Sequence, residues 1–164
     1  MKSAMHREDY ESLASEYLDA DSLMYKKIRI VDRYISTGNM LLDIGMGIGE
    51  LIELEKHKFN KIYGVDVDEK SIEICQARFQ GEENITFIRA SMSDLQNYFQ
   101  PRQFDCITCL DVLEHIGLKE CNRALLVIAS LLRDGGKFIF TGPGLFEKIR
   151  ICLKRSHHLH SHSS

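Results

Sequence analysis

The sequence predicts one α/β domain built on a doubly wound, mainly parallel β-sheet. Three observations support this class: 164 residues suffice for one domain, five short apolar runs alternate with amphipathic segments, and those runs are continuously apolar. Continuous apolar runs are typical of strands that helices cover on both faces, as in a parallel sheet. Parallel neighbours then require right-handed crossovers.

The first part of the chain, residues 1–36, predicts an N-terminal helical cap. The stretch 7–35 contains neither Gly nor Pro, and its apolar residues recur at helical spacing. We predict two helices, the second capped by Asp21 or Ser22. Position alone makes three tyrosines of this cap candidates for closing a site: Tyr10, Tyr17 and Tyr25.

The α/β core is predicted at residues 37–144. Its strands are predicted at residues 40–44, 61–66, 85–88, 104–110 and 137–141. Its helices are predicted at 48–57, 69–79, 94–99 and 118–132. Residues 145–164 differ, because a basic amphipathic segment precedes a polar tail rich in His and Ser. That segment also fits a membrane-surface helix, although a solvated helix or tail is the simpler interpretation.

The composition is that of an ordinary globular protein. The chain is 44% hydrophobic and 27% charged, and 21 Lys and Arg against 24 Asp and Glu give a net charge of −3. The chain is not basic overall, so its composition gives no sign of a nucleic-acid partner. No apolar run approaches the roughly 18 residues of a membrane span, and no signal peptide is evident. Five cysteines in apolar contexts indicate a reducing compartment, so we expect a cytoplasmic protein without a transmembrane segment.

The strongest chemical signal is the run Asp-Ile-Gly-Met-Gly-Ile-Gly-Glu at residues 43–50, between a predicted strand and a predicted helix. Glycines allow a sharp turn and a close approach of backbone to a ligand, although a purely structural turn is the alternative. Asp66 ends the next strand, where a carboxylate can accept hydrogen bonds from both ribose hydroxyls of a nucleoside. Asp66 is alternatively a helix N-cap, but Asp68 is better placed for that role.

Two features separate this loop from a dinucleotide-binding fingerprint. The glycines are Gly45, Gly47 and Gly49, and Glu50 stands where the third glycine of G-x-G-x-x-G would be. Asp43 lies within the strand before the loop, and a buried carboxylate is costly unless it meets a cation or donors. An ammonium-bearing ligand satisfies it, whereas a pyrophosphate is repelled. An NAD(P)-dependent oxidoreductase is therefore the least favoured of our three hypotheses, and the other two follow below.

These segments resemble the class I S-adenosylmethionine-dependent methyltransferases of the small-molecule type, which have a Rossmann-like fold. The loop is close to the D-x-G-x-G-x-G signature of that family, and Asp66 matches the acid that ends its second strand. Residues 84–95, 104–115 and 131–137 are similar to its third-strand, fourth-strand and fifth-strand segments. The resemblance covers about residues 40–143.

The resemblance implies S-adenosylmethionine as cofactor, S-adenosylhomocysteine as product, and in-line displacement at the methyl carbon. The implied cofactor-binding residues are Asp43, Gly45, Met46, Gly47, Gly49, Asp66, Val67, Ser91, Met92, Cys109, Leu110 and Asp111. Asp43 and the loop would hold the methionine part, and Asp66 the ribose. Val67 and Met92 would flank adenine, and residues 109–111 would line the methyl-donor side. Ser91 takes a position where the family often has Asp.

No catalytic residue follows from the sequence, and the acceptor is either a small molecule or a protein side chain. His115 is a candidate general base, although packing beside a strand-to-helix turn is the simpler interpretation. Cys106 and Cys109 lie three apart on a strand and point to opposite faces, so we expect no metal site there. The histidines of the tail are interpreted as part of a disordered segment.

The family sheet has seven strands and ends in an antiparallel hairpin beside the fifth. Only 23 residues follow Thr141, so we expect that hairpin to be missing. The strand at 137–141 would then be an apolar edge, through which we expect self-association unless residues 145–153 or a partner chain cover it. The rival to a complete enzyme is a truncated or non-catalytic donor-binding or scaffold module.

Overall fold

The computed structural model describes residues 23–142. Five strands form one parallel sheet in the order β3-β2-β1-β4-β5. The strands are β1 (Gly38–Ile44), β2 (Phe59–Asp66), β3 (Ile85–Arg89), β4 (Phe104–Leu110) and β5 (Leu132–Thr141). The helices are α1 (Leu23–Asp32), α2 (Glu50–Glu55), α3 (Glu69–Arg78) and α4 (Leu118–Leu131). The predicted doubly wound parallel fold is therefore confirmed.

The sheet separates two apolar clusters. Because successive strand side chains point to opposite faces, neighbouring residues of β1 belong to different clusters. Leu41 packs in the cluster that α1, α2 and α3 cover, whereas Leu42 packs in the cluster that α4 covers. Both side chains are fully buried, as expected for a central strand.

The strand order reverses between β1 and β4, and this reversal positions the site. From β1 the chain adds β2 and β3 on one side, and it returns to add β4 and β5 on the other. Loops after β1 and β4 therefore diverge at the carboxyl ends of these strands, where open α/β sheets bind their ligands.

Several predicted boundaries differ from the structure. Helix α2 begins at Glu50, because Gly49 before it adopts a left-handed backbone with φ 81°. The predicted helix at 94–99 is a 3-10 helix, Met92–Asn97. Strand β5 begins at Leu132, and its pairing with β4 is irregular between Phe104 and Cys106. Propensity alone does not locate such irregularities.

The described residues contain one helix of the predicted cap, α1, which includes Tyr25. The first predicted helix with Tyr10 and Tyr17, the caps Asp21 and Ser22, and residues 145–164 lie outside the described residues. Between residues 23 and 142, no helix combines the length and the apolar character that a bilayer crossing requires.

Candidate functional site

A cleft of about 460 Å³ opens at the carboxyl ends of the central strands. The predicted cofactor-binding residues that line it are Gly45, Asp66, Val67, Ser91, Met92, Leu110 and Asp111. His115 and Glu120 line it from the segments after β4, and Met24 lines it from α1. Residues from five separate segments of the chain thus meet at this one place.

The glycine-rich loop forms the floor of the cleft. The N–H groups of Gly45 and Met46 donate to the carbonyl of Val65, at 2.7 and 3.3 Å, which ties the loop to β2. Gly45 has φ 70°, and a Cβ atom there would lie 2.2 Å from Cγ2 of Val112. Gly47 has φ 55° and open space where its Cβ would be. The loop therefore presents bare backbone that side chains would block.

Asp66 joins the loop to the end of β2. Its Oδ2 accepts a 3.0 Å hydrogen bond from the N–H of Gly47, and its Oδ1 accepts a 2.9 Å bond from the N–H of Asp68. Asp68, not Asp66, is the N-cap of α3, because its side chain accepts from the N–H of Ser71 at 3.0 Å. The carboxylate of Asp66 instead lies on the cleft wall, where it can also accept from a ligand.

Asp43 lies beneath the loop and is 3% exposed. The hydroxyl of Thr108 donates to its Oδ1 at 2.7 Å. The pKa of Asp43 is raised to about 7. Burial is the largest cause, the hydrogen bond from Thr108 acts to lower the pKa, and the charges of Asp66 and Glu50 add to the rise. A cation above this carboxyl would favour its ionised form.

A second, smaller cavity of about 90 Å³ reaches this carboxyl. Asp43, Gly45, Met46 and Gly47 line it together with Met24 of α1. The loop thus separates two spaces, one open along the ends of the strands and one narrow above the buried acid. Asp43, Met46 and Gly47 were predicted to contact the same ligand, and this part of the prediction remains to be tested.

Two predicted residues line neither of these cavities. Gly49 lies at the start of α2, where a Cβ atom would be 2.8 Å from the ring of Phe79. Cys109 is fully buried in the cluster that α4 covers, and burial raises the pKa of its thiol. Cys106 belongs to the opposite cluster, as the strand period requires.

The end of β4 carries a carboxylate in an unusual backbone conformation. Asp111 has φ 55°, a region that residues other than glycine seldom adopt. Its N–H donates to the carbonyl of Thr141 and its Oδ1 accepts from the hydroxyl of Thr141, both at 3.0 Å. Its Oδ2 accepts from Nζ of Lys27, on α1. Sequence reasoning missed Lys27, because no local pattern links residues 84 positions apart.

The adenine-side candidates lie at the other end of the cleft. Val67 is 64% exposed, whereas Met92 is 6% exposed and packs in the core while still lining the cleft. The Oγ of Ser91 lies 3.0 Å from the Oγ of Ser93 and caps the 3-10 helix that follows. Two apolar surfaces and a hydroxyl suit the faces and the edge of a purine ring.

A parallel α/β sheet with a bare glycine loop and an acid at the end of the adjacent strand places the chain in the Rossmann-like class of folds. A family described as a methyltransferase domain matches residues 42–140. The chain belongs to this family and to the class I S-adenosylmethionine-dependent methyltransferase superfamily.

Three similar proteins illustrate the relationship. The ubiquinone biosynthesis O-methyltransferase of Stutzerimonas stutzeri is 25% identical over 140 residues, which are 80% of this chain and 60% of that protein. The PH0226 protein of Pyrococcus horikoshii is 26% identical with a TM-score of 0.64, over 82% of this chain and 65% of its own. An S-adenosylmethionine-dependent methyltransferase of Clostridium acetobutylicum shares the fold, at 24% identity and a TM-score of 0.61, over 80% of this chain and 56% of its own. The chain spans between 41% and 60% of the length of the ubiquinone biosynthesis O-methyltransferases that it matches first.

Proposed function

We propose that the chain binds S-adenosylmethionine in the cleft and catalyses transfer of its methyl group to a nucleophilic atom of an acceptor. The observation that carries this proposal is the carboxylate of Asp66, held by the N–H of Gly47 beside the side-chain-free backbone of the glycine loop and facing the cleft. Membership of the methyltransferase-domain family supports the same conclusion.

The residues of the cleft fit this ligand in charge and in shape. Asp66 accepts hydrogen bonds from the two ribose hydroxyls, and we expect its ionised carboxylate to contribute about 1.5–3 kcal/mol to binding. Val67 and Met92 cover the faces of the purine, and Asp43 attracts the ammonium of the methionine part, directly or through water. The open space at Gly47 lets the ligand approach the backbone closely.

The chemistry of the donor sets what the chain has to contribute. S-adenosylmethionine supplies a methyl group that is activated by its bond to a sulfonium. The residues of the cleft therefore bind and orient the reactants and exclude water, and such positioning supplies roughly 7–11 kcal/mol. His115, which lines the cleft, is our candidate for taking a proton from the acceptor where the acceptor must lose one.

We further propose a small molecule with a hydroxyl group as the acceptor to test first. The support is that several curated relatives are named ubiquinone biosynthesis O-methyltransferases.

We also propose a reducing, cytoplasmic location. The free, buried cysteines of β4, α3 and α4 support it, because thiols persist in such a compartment.

Isothermal titration with S-adenosylmethionine, S-adenosylhomocysteine and NAD tests the binding step. We expect both adenosyl ligands to bind and NAD not to bind, and binding of NAD alone would overturn the proposal. An acceptor panel of phenols, carboxylic acids, amines and peptides then tests transfer through the release of S-adenosylhomocysteine. Donor binding without turnover on the whole panel would instead indicate a donor-binding module.

The self-association predicted through β5 stays a prediction. Among the described residues β5 is an edge of the sheet, and Phe138 and Phe140 on it are only partly buried. Sedimentation velocity at high protein concentration tests it, and a single monomeric species would contradict it.

A further inference from the structure

One lysine connects α1 to the end of β4, where Asp111 lines the cleft. Nζ of Lys27 donates to Oδ2 of Asp111, and the two side chains are 30% and 20% exposed. The pair is therefore partly shielded from solvent, and removal of either charge leaves the other without this partner at the cleft. Met24, one turn before Lys27 and on the same face of α1, lines both cavities.

Of the two partners, the carboxylate is the rigid one. Asp111 is bonded to Thr141 through both its backbone N–H and its Oδ1, and these two hydrogen bonds hold it at the end of β4. Lys27 reaches it from another element through a flexible four-carbon side chain. An exchange of partners at this place therefore moves the lysine and leaves the carboxylate where it is.

The buried side chains of α1 lie in its second half, so an exchange of partners at Lys27 leaves that core packing in place. Ile28 and Val31 are buried in the core, and Asp32 pairs with Lys58. At the other end, Leu23 is 80% exposed and Met24 is 40% exposed. Release of Lys27 therefore costs little packing at the start of α1.

We propose that Lys27 is the counter-ion that the cationic donor displaces from Asp111, and that Lys27 thereby sets the relative affinity of the chain for donor and product. This inference rests on the proposed function and on the expectation from the family resemblance that residues 109–111 line the methyl-donor side. S-adenosylmethionine carries a sulfonium charge there, whereas S-adenosylhomocysteine is a neutral thioether. The two ligands share the adenosine and the amino-acid end. A difference between their affinities that depends on Lys27 therefore reports on the charge at sulfur.

The direction of the effect follows from the charges. With Lys27 present, the charge of the Asp111 carboxylate is already balanced by the lysine. The sulfonium is attracted to that carboxylate only after the lysine has moved away. In Lys27→Met, the sulfonium meets an unpaired carboxylate, so affinity for the donor rises relative to the product by about tenfold. In Asp111→Asn, the ammonium of Lys27 remains and the acid is gone, so the ratio of donor to product affinity falls below that of the parent.

The test is isothermal titration of S-adenosylmethionine and S-adenosylhomocysteine into each variant at one pH and one ionic strength. Lys58→Met is the matched control, because it breaks the ion pair between Lys58 and Asp32 of α1, together with the one to Glu55, and leaves the charges at Asp111 unchanged. We expect that control and Lys27→Arg to keep the affinity ratio of the parent. Thermal unfolding verifies that each variant is folded, and Lys27→Gln serves as a second neutral variant if Lys27→Met is not.

Each outcome of the titration is decisive. An unchanged ratio in the folded neutral variant of Lys27 would overturn the inference and leave the proposed function standing. An equal rise in Lys58→Met would also overturn it, because the cause would then be a loosened α1. If the parent bound neither ligand, the proposed function and this inference would fail together.

Discussion

The hydroxyl of Thr108 on β4 donates a 2.7 Å hydrogen bond to the carboxyl of Asp43 on β1, beneath the glycine-rich loop. The two residues are direct neighbours in the sheet register, and both are buried. This bond holds a titratable group at the point where the loop leaves the sheet. Its protonation state therefore couples the stability of the fold to the charge of the site.

The first prediction concerns the pH dependence of stability. Asp43 ionises near 3.8 in the unfolded chain but keeps its proton to about 7 in the folded chain. The unfolded state thus loses its proton first, and the free energy of unfolding falls as pH rises through this window. Asp43→Asn removes this contribution while Thr108 keeps an acceptor, so the decline between pH 5 and pH 7 becomes shallower. Urea unfolding at several pH values measures the free energy of unfolding. Equal slopes of that free energy against pH in parent and variant would contradict the prediction.

A second buried acid lies outside the site, between α1 and α2. Glu55 is fully buried, and its Oε1 lies 3.2 Å from Nζ of Lys58, which also pairs with Asp32. The pKa of Glu55 is raised to about 7. Burial is the largest cause, the Asp32 carboxyl adds to the rise, and Lys58 acts to lower the pKa. Ionisation of Glu55 therefore places a second carboxylate against Asp32.

We predict that Glu55→Gln makes the stability of the fold less dependent on pH between about 4.5 and about 7. The unfolded chain releases this proton near 4.5 and the folded chain near 7, so stability falls between those values and is then constant. The glutamine variant lacks that decline, and the double variant with Asp43→Asn shows the flattest profile. The same urea series measures both, and a steeper decline in Glu55→Gln than in the parent would refute this account.

The third prediction separates the two neighbouring acids at the end of β2. Asp66→Ala removes an acceptor from the cleft and weakens binding of S-adenosylmethionine by about 1.5–3 kcal/mol. Asp68→Ala, the matched control, removes the cap of α3 and lowers stability by about 1 kcal/mol, while donor affinity stays close to that of the parent. Calorimetric titration and thermal unfolding of both variants give the comparison. If Asp66→Ala retained full affinity, Asp66 would not belong to the binding site.

The fourth prediction concerns the glycines of the loop. In Gly45→Ala, the new methyl group collides with Val112 and the backbone is held at φ 70°, so we expect a loss of several kcal/mol in the free energy of unfolding. In Gly47→Ala there is open space, and only the backbone strain of about 1–2 kcal/mol remains.

A second substitution distinguishes collision from strain. Val112→Ala in the Gly45→Ala background removes the colliding methyl group and restores part of the lost stability, but not the part due to backbone strain. The same substitution in the Gly47→Ala background removes no collision and gives no gain. Comparable losses in the two alanine variants would show that the contact with Val112 is not what excludes a side chain at Gly45.

Much of the fold was predictable because it follows from local patterns. Continuous apolar runs identified all five strands, and the glycine run located the turn between β1 and α2. The roles of Asp68 and Asp66 were correctly separated, because the N-cap residue stands directly before the first helical residue, which is Glu69. The boundaries of α2 and β5 were less accurate, because a left-handed glycine and an irregular strand pairing depend on neighbours in space.

The sequence by itself determined the class of protein, because strand periodicity, turn glycines and acids at strand ends are recorded in local order. Only the tertiary structure decided which side chains meet. It placed Cys109 in the core, buried Glu55 against Asp32 and Lys58, and brought Lys27 to Asp111 across the cleft. Such contacts depend on how helices pack on a sheet, and local sequence patterns do not identify the partners of residues that are far apart in the chain.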